Sequence, residues 1–203
     1  MKLLIATRNR GKVIEIKELL QGLPCEIIDE SAFPNIPDIE ETGETFTENA
    51  LIKGRYYHSQ TGLLTVADDS GLVVDALAGA PGVYSARYAG ERASDQERIR
   101  KLLKELEGAP WEKRTARFVC AVALVGESGL EEIFTGTCEG MILAAPRGTG
   151  GFGYDPVFEY PPLGKTFAEL SRQEKSAVSH RGRALAGLRS FLEQAHLLNG
   201  ESC

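Results

Sequence analysis

Hydrophobic positions along this chain fall into two patterns, short runs rich in β-branched residues and stripes at helical spacing. The runs predict buried strands, and apolar residues three and four positions apart predict helices with one packed face. In chain order the patterns predict a strand at 2–6, a helix from Val13, a strand at 25–28, a helix at 45–59, strands ending near 69 and 77, a helix at 93–107, strands at 115–125 and 130–137, and a last helix reaching about Leu198 with Leu185, Leu188, Leu192 and Ala195 inward.

The two apolar runs on either side of Gly126-Glu-Ser-Gly129 predict a β-hairpin. A hairpin is antiparallel, whereas strands alternating with helices favour parallel pairing. The chain is therefore expected to be an α/β protein with a mixed sheet.

The other predicted elements are arranged around the stretch Leu64 to Gly71, where an apolar run meets Asp68, Asp69 and Ser70. We expect a buried strand that brings two carboxylates to a sheet edge, where α/β proteins place their chemistry. Adjacent strand residues face opposite sides, so the two acids are expected to have different roles: one holds a divalent cation or takes a proton from water, and the other is fixed by hydrogen bonds. A solvated Asp-Asp-Ser-Gly turn is the alternative.

The segment Thr7 to Lys12 lies between the first strand and the first helix and is rich in cations. Backbone N–H groups and the positive end of the helix dipole at such a junction suit a triphosphate, and Gly11 permits close approach. The spacing is not that of a Walker loop. An ordinary basic turn is the alternative.

An acidic, proline-punctuated segment follows the second strand, and it contains Glu40 and Glu41. It is either a solvated connection or a source of a second carboxylate for the cation held by Asp69. The next helix carries Lys53 on an otherwise packed face. Its ammonium either extends out to water or points at a phosphate.

The loop Pro146 to Pro156 is too rich in glycine for regular structure, and it contains Phe152, Tyr154 and Asp155. Aromatic faces beside a polar group offer a place for a base to stack, and the alternative is a surface loop whose rings enter the core. Further on, Ser179 is a plausible N-cap that places basic residues at a helix start, although a His-Arg pair is more often on the surface.

Composition and net charge limit the classes of function that this chain can have. The 203 residues are 42% apolar, enough for one core or for two lobes that share a cleft, and a net charge of −6 argues against a protein that coats a nucleic acid polymer. The four cysteines lack metal-ligand spacing, so we expect reduced core thiols and one thiol at the tail, Cys203. No apolar segment is long enough for a signal peptide or a membrane span, so a cytoplasmic protein without membrane contact is expected.

Several motifs in order resemble the inosine triphosphate pyrophosphatase family, the non-canonical purine NTP pyrophosphatases. The segments that carry the resemblance are ATRNRGK, EETGETFTENALIKG, ADDSGLVVDALAGAPGVYSARYAG, GTGGFGYDPVF and EKSAVSHRGRAL. The resemblance implies hydrolysis of ITP, dITP or XTP to the monophosphate and pyrophosphate with Mg²⁺, one ion or more per subunit. It also implies one elongated domain over residues 1–203, a long twisted mixed sheet with flanking helices, two lobes sharing a central active-site cleft, and a homodimer.

The same resemblance assigns roles residue by residue. Asp69 is implied as general base and metal ligand, and Glu41 as a second metal ligand. The residues implied in substrate binding are Thr7, Arg8, Asn9, Arg10, Gly11, Lys12, Lys53, Ser70, Phe152, Gly153, Tyr154, Asp155, Lys175, His180 and Arg181. Arg8 stands where the family commonly has a small residue.

Arg181 also has a physical rationale in base selection. A guanidinium only donates hydrogen bonds, so it favours the 6-oxo group of hypoxanthine or xanthine over the 6-amino group of adenine. Two alternatives to this enzyme are a Maf-type pyrophosphatase, against which the FGYDP and SHR segments argue, and a non-catalytic module that senses a purine nucleotide.

Overall fold

A computed structural model describes residues 1–195. Its strands and helices alternate early in the chain, as the apolar pattern predicts. The strands are β1 Lys2–Ala6, β2 Glu26–Asp29, β3 Leu64–Val74, β4 Thr115–Val125, β5 Glu131–Ile142, β6 Phe158–Tyr160 and β7 Lys165–Thr166. The helices are α1 Arg10–Leu19, α2 Phe46–Thr61, α3 Asp95–Glu105, α4 Arg172–Val178 and α5 His180–Gln194.

The strands form one mixed sheet in the order β2-β1-β3-β4-β5-β6-β7. β1 pairs in parallel with β2 and β3, whereas β6 pairs antiparallel with β5 and β7. The neighbours β4 and β5 are joined by residues 126–130, a connection too short for a parallel pair. The predicted α/β class, mixed sheet and hairpin are confirmed.

The chain divides into two compact units, and the division falls within β3, β4 and β5 and at the start of α5. Of the described residues, the first unit contains 1–69, 120–136 and 181–195, and the second contains 70–119 and 137–180. One domain with two lobes sharing a cleft stays a prediction.

In the first unit, the strand residues alternate between two packed faces. One face of β1, β3 and β4 packs with α1 and α5 through Leu3, Ile5, Val66, Cys120, Val122, Leu124, Ile16, Leu20, Leu185, Leu188 and Leu192. The opposite face meets α2, whose Gly54 lies so close to β4 that an added Cβ would be 2.8 Å from Val125 Cγ2. This period of two decides which helix each buried strand residue faces.

In the second unit, a separate core surrounds the distal part of the long strands and α3. Its members are Leu72, Val74, Ile99, Leu102, Leu106, Ala116, Phe118, Cys138, Ile142, Tyr154, Val157, Phe158, Phe167 and Leu170. Ser94 caps α3 with a capping box to Glu97, near the start of the helix predicted at 93–107.

The predictions for the cysteines and for the last helix have different outcomes. Cys25, Cys120 and Cys138 carry free thiols, the latter two buried, and Cys203 lies outside the described residues. Helix α5 ends at Gln194 and Ala195 is exposed, so the predicted burial of Ala195 is wrong, and Leu198 lies outside the described residues. Among residues 1–195, no helix has both the length and the apolar character needed to cross a bilayer.

Candidate active site

Asp68 and Asp69 lie inside β3, which continues through them to Val74. The expectation that the strand ends at these acids is therefore wrong, and so is the alternative of a solvated turn. The parallel neighbour β1 does end here, because its last residue Ala6 pairs with Ala67. Asp68 and Asp69 thus lie within β3, just past the point where its parallel neighbour β1 ends.

The two acids face opposite sides of the sheet, as predicted. Asp68 follows Val66 at a spacing of two and shares the face that packs with α1 and α5. Its carboxylate is fully buried, 3.1 Å from Lys12 Nζ of α1 and 3.1 Å from Arg181 Nη2 of α5. Burial by itself would raise the pKa of Asp68, but the Lys12 and Arg181 charges outweigh it and hold the pKa well below its usual range.

Asp69 belongs to the α2 face, where a second lysine lies. Lys53 Nζ donates to the backbone oxygen of Asp68 at 3.1 Å and forms an ion pair of 2.6 Å with Glu41. The alternative that Lys53 extends into water is therefore wrong. Burial raises the pKa of Asp69, partly opposed by Lys12 and Lys53 and reinforced by Glu41 and Asp68. Burial lowers the pKa of Lys53, but the charges of Glu41, Asp68 and Asp69 outweigh it, so its ammonium stays charged.

The donor set around Asp69 suits a hard divalent cation that arrives with its substrate. Asp69 and Glu41 supply carboxylate oxygens, and the charge of Glu41 contributes to the raised pKa of Asp69. No cluster of three or more His, Cys, Asp or Glu side chains within residues 1–195 has the arrangement to hold a metal by itself. Mg²⁺ commonly binds through one or two carboxylates plus substrate phosphates and water. The residues present fit that mode and not a closed protein cage.

The basic segment after β1 is not all loop. Helix α1 begins at Arg10 and not near Val13, because Asn9 acts as N-cap and accepts a hydrogen bond of 3.2 Å from Lys12 N. Thr7 is buried, Arg10 is exposed and Gly11 is half-buried in the first turn. The first turn was missed because its polar residues precede the apolar stripe.

Arg8 lies against the acidic segment that follows β2. Its Nε is 3.0 Å from the buried carboxylate of Glu30, its Nη2 donates to Ile36 O at 3.0 Å, and its Nη1 also pairs with Asp38. Burial raises the pKa of Glu30 and the Arg8 charge lowers it. These contacts make Arg8 an anchor of the segment that leads to Glu41, and a phosphate contact of Arg8 stays a prediction.

Arg8→Met is expected to lower the free energy of unfolding by about 1–3 kcal/mol at neutral pH, because it removes the cation beside a buried carboxylate. The pKa of Glu30, already raised by burial, would rise further. The variant's stability deficit should therefore be small where Glu30 is protonated and should grow as the pH rises through its folded pKa. Urea denaturation at pH 5 and pH 8 measures this, with exposed Arg10→Met as control. An equal deficit at both pH values would contradict it.

In the second unit, the loop 146–156 is irregular, as predicted, and its fold centres on Asp155. The buried Asp155 carboxylate accepts the Phe152 backbone N–H at 2.9 Å and pairs with Lys175 Nζ at 2.5 Å. Gly151 has a φ of +69°, and an added Cβ would lie 2.0 Å from Asp155 Oδ2. Only glycine allows this approach of the backbone to the carboxylate.

The aromatic residues of this loop have different surroundings. Tyr154 is buried in the core of the second unit and donates to Ser85 O at 3.0 Å, as the core alternative predicts. Phe152 is half-buried, and Lys175 Nζ lies 4.6 Å from its ring centroid. Gly153 N donates to Asp95 Oδ2 at 2.7 Å at the start of α3. Of the two aromatic residues in this loop, Phe152 is thus the one whose ring is better placed to stack with a base.

His180 and Arg181 are both buried, so the surface alternative for this pair is wrong. The His180 ring stacks on Phe118 with centroids 4.7 Å apart and an interplanar angle of 11°. Arg181 belongs to the first unit, where its Nη1 is 2.5 Å from Glu15 and its Nη2 is 3.1 Å from Asp68. Ser70 follows Asp69 in β3 and is half-buried.

Several residues that hold this machinery were missed from the sequence. Glu15 of α1 pairs with Arg181, and Phe118 and Phe167 stack with His180. Lys175 lies in the last turn of α4, a helix that the apolar pattern did not reveal. The sequence around Glu15, Phe118 and Phe167 does not mark them as site residues. Glu15 resembles a solvated acid on a helix, and the two phenylalanines resemble ordinary core residues. The capping box of Ser171 and Glu174 would have indicated α4.

A family model described as the Ham1 family matches residues 3–191. The chain belongs to the Ham1 family. The resemblance drawn from the motifs is thereby confirmed, since curated relatives of this chain are named dITP/XTP pyrophosphatase. A dITP/XTP pyrophosphatase of Geobacter sulfurreducens is 55% identical, covering 94% of this chain and 96% of its own length. The dITP/XTP pyrophosphatase of Halalkalibacterium halodurans is 48% identical over 94% of this chain and 98% of its own.

Solved Ham1 structures share the fold. A HAM1 protein from Coxiella burnetii superposes with a TM-score of 0.87 at 48% identity, covering 96% of this chain and 99% of that one. The Staphylococcus aureus Ham1 protein gives a TM-score of 0.86 at 42% identity, covering 96% and 100%. The likeness extends over nearly the whole length of each chain, so this protein has the Ham1 architecture and not only a shared motif set.

Proposed function

We propose that this chain hydrolyses the non-canonical purine nucleoside triphosphates ITP, dITP and XTP to the monophosphate and pyrophosphate. The observation that carries the proposal is the relative named dITP/XTP pyrophosphatase, 55% identical over 94% of the chain. The reaction breaks the bond between the α- and β-phosphates. It would remove these nucleotides before they enter nucleic acids.

The partly buried lysines of the first unit, Lys12 and Lys53, supply charge for the phosphates. A triphosphate resists attack by water until its negative charge is balanced. The Lys12 side chain is 14% exposed and that of Lys53 is 12% exposed, and each is held by a carboxylate, Asp68 and Glu41 respectively. Cations fixed in this way lose little freedom on binding, so they favour the transition state electrostatically. The N-terminus of α1, capped by Asn9, adds backbone donors.

We propose Mg²⁺ as cofactor, held by Asp69 and Glu41. When bound it would neutralise phosphate oxygens and polarise the phosphorus for attack. Asp69 would orient the attacking water and accept its proton. Because burial raises its pKa, partly opposed by the charges of Lys12 and Lys53, this carboxylate is a stronger base than a solvated aspartate.

Base recognition is assigned to residues of the loop and of the α4–α5 junction. Phe152 offers a ring on which the purine stacks, and its backbone is fixed by Asp155 and Lys175. His180 and Arg181 are proposed to read the purine edge, with the donor-only guanidinium favouring a 6-oxo group. A mismatch between two donors in a buried site discriminates strongly, so ATP is expected to be a poor substrate.

Phe152→Ala is expected to weaken ITP binding by about 1–3 kcal/mol, the usual value of one stacked base. KM for ITP should rise accordingly while the thermal midpoint changes little, because Phe152 is only half-buried. Steady-state kinetics measures this, with Tyr84→Ala as control, since Tyr84 is a 58% exposed ring of the same unit. An unchanged KM in Phe152→Ala would remove Phe152 from the base site.

Product analysis tests the proposal as a whole. The chain is incubated with ITP, GTP and ATP in Mg²⁺, and pyrophosphate is quantified separately from orthophosphate. IMP and pyrophosphate from ITP, with little product from ATP, are expected. Orthophosphate would mean a different bond is cleaved, and binding without turnover would favour the nucleotide sensor. Membership of the Ham1 family argues against the Maf-type alternative.

We also propose a homodimer, on the family resemblance. Light scattering coupled to size exclusion should give the mass of two chains. The mass of one chain would contradict it without affecting the proposed reaction.

A further inference from the structure

Three aromatic rings of the second unit lie in nearly parallel planes. The His180 imidazole is 4.7 Å from the Phe118 ring at 11° and 6.4 Å from the Phe167 ring at 5°. Phe118 and Phe167 are themselves 5.6 Å apart at 7°. Phe158 is tilted against both phenylalanines, at 55° to Phe118 and 60° to Phe167. His180, Phe118 and Phe167 thus form a set of near-parallel rings, and the Phe158 ring packs obliquely against the two phenylalanines.

This stack fixes the orientation of the His180 ring plane, which the side chain would not fix by itself. Rotation of an imidazole about its last side-chain bond has a broad, two-fold preference, so the ring plane depends on what packs against it. A hydrogen bond from a ring nitrogen, in turn, lies close to the plane of the ring. His180 is 4% exposed and Phe118 7%, so solvent does not compete for that face. The plane of Phe118 thus decides the directions in which the His180 nitrogens point.

We propose that Phe118 is a positioning residue for base recognition, which it serves by setting the plane of the His180 imidazole. This inference rests on the proposed function, in which His180 reads the purine edge. Phe118 acts through His180 and has no contact with substrate in the proposal. Phe167 shares the stack but also lies 5.6 Å from Lys175 Nζ, so its replacement would disturb two predicted substrate residues at once. Phe118 is the cleaner position to test.

Phe158 provides a matched control. It is a fully buried phenylalanine of the same core, in contact with Phe118 and Phe167 by its tilted ring. Leucine at either position removes one buried ring from one cluster, so the two variants should lose comparable stability. Phe118→Leu also removes the ring that faces His180.

Steady-state kinetics on the full chain with ITP is the first measurement. Phe118→Leu is expected to raise KM roughly 5-fold to 10-fold with kcat nearly unchanged, in line with the loss of one aromatic contact. Phe158→Leu should leave KM near the parent value. In a His180→Gln background, Phe118→Leu should add no further increase in KM, because its effect passes through His180. Equal KM values in Phe118→Leu and the parent would overturn the proposal.

Histidine NMR supplies a readout that does not depend on activity. The sequence contains three histidines, and His180→Gln identifies the His180 signal. In the parent chain the His180 ring protons should resonate upfield, because the imidazole is stacked against the Phe118 ring, and Phe118→Leu should move them downfield while Phe158→Leu does not. A parent signal at an ordinary histidine position would overturn the stack.

The outcomes separate this inference from the function on which it rests. If the parent chain releases no pyrophosphate from ITP, the proposed function fails. If the parent is active and His180→Gln raises KM while Phe118→Leu does not, the positioning role alone fails. If His180→Gln leaves KM unchanged, the base-reading role of His180 fails and takes the positioning role with it.

Discussion

Asp69→Asn is expected to lower kcat for ITP by roughly 10³-fold, with a much smaller change in KM. The amide keeps the size of the side chain but can neither accept a proton from water nor hold a cation as a carboxylate does. The phosphates would still meet Lys12 and Lys53, so binding should survive. Burst and steady-state kinetics with ITP, together with binding of a non-hydrolysable ITP analogue, measure the two effects separately.

The matched control for this change is Asp75→Asn. Asp75 is an exposed aspartate just after β3, and it pairs with Arg117 at 2.9 Å. Removing its charge should leave turnover near the parent value. If Asp69→Asn retained more than about a tenth of the parent kcat, Asp69 would be neither the base nor an essential ligand. Loss of binding and turnover together would indicate a structural role.

Arg181→Met is expected to lower the free energy of unfolding by about 3–5 kcal/mol, because it leaves a buried carboxylate without one of its cationic partners. Asp68 is fully buried, and Glu15 also pairs with Arg181. Lys12 remains beside Asp68, so the loss should fall toward the lower end of that range. Urea denaturation measures it, and the same variant should lose preference for ITP over ATP.

Two controls make the Arg181 result specific. Arg183→Met removes an exposed arginine two positions along the same helix and should cost less than about 0.5 kcal/mol. Adding Asp68→Asn to Arg181→Met should cost less than the sum of the single changes, because the orphaned charge is removed as well. Strict additivity would show that Arg181 stabilises by packing and not through Asp68.

Most of the secondary structure follows from local sequence. The apolar runs at β1 and β4 and the stripe of α3 are determined by which residues must leave water, and that preference needs no knowledge of neighbours. The caps of α2 and α3 at Thr45 and Ser94 are equally local, since a hydroxyl bonds to an N–H three residues on.

The course of β3 could not be predicted locally. Two adjacent aspartates normally end a strand, because burying their charge is costly. Here Lys12 and Arg181 approach Asp68 from helices distant in sequence, and their charges make burial acceptable. The predicted strand that ends near Asp69 was therefore right in kind and too short, since β3 continues to Val74.

The sequence by itself determined the order of strands β1 to β5 and of helices α1, α2, α3 and α5, the mixed sheet, and a set of charged and aromatic residues whose order marks the Ham1 family. Tertiary structure decided what each residue faces: Lys53 toward Glu41, Arg8 toward Glu30 and Asp38, and His180 against Phe118. The physical reason is the separation along the chain over which each kind of interaction acts. Hydrophobic periodicity and capping act within a few residues, whereas charge pairing and ring stacking depend on packing between segments far apart in the chain.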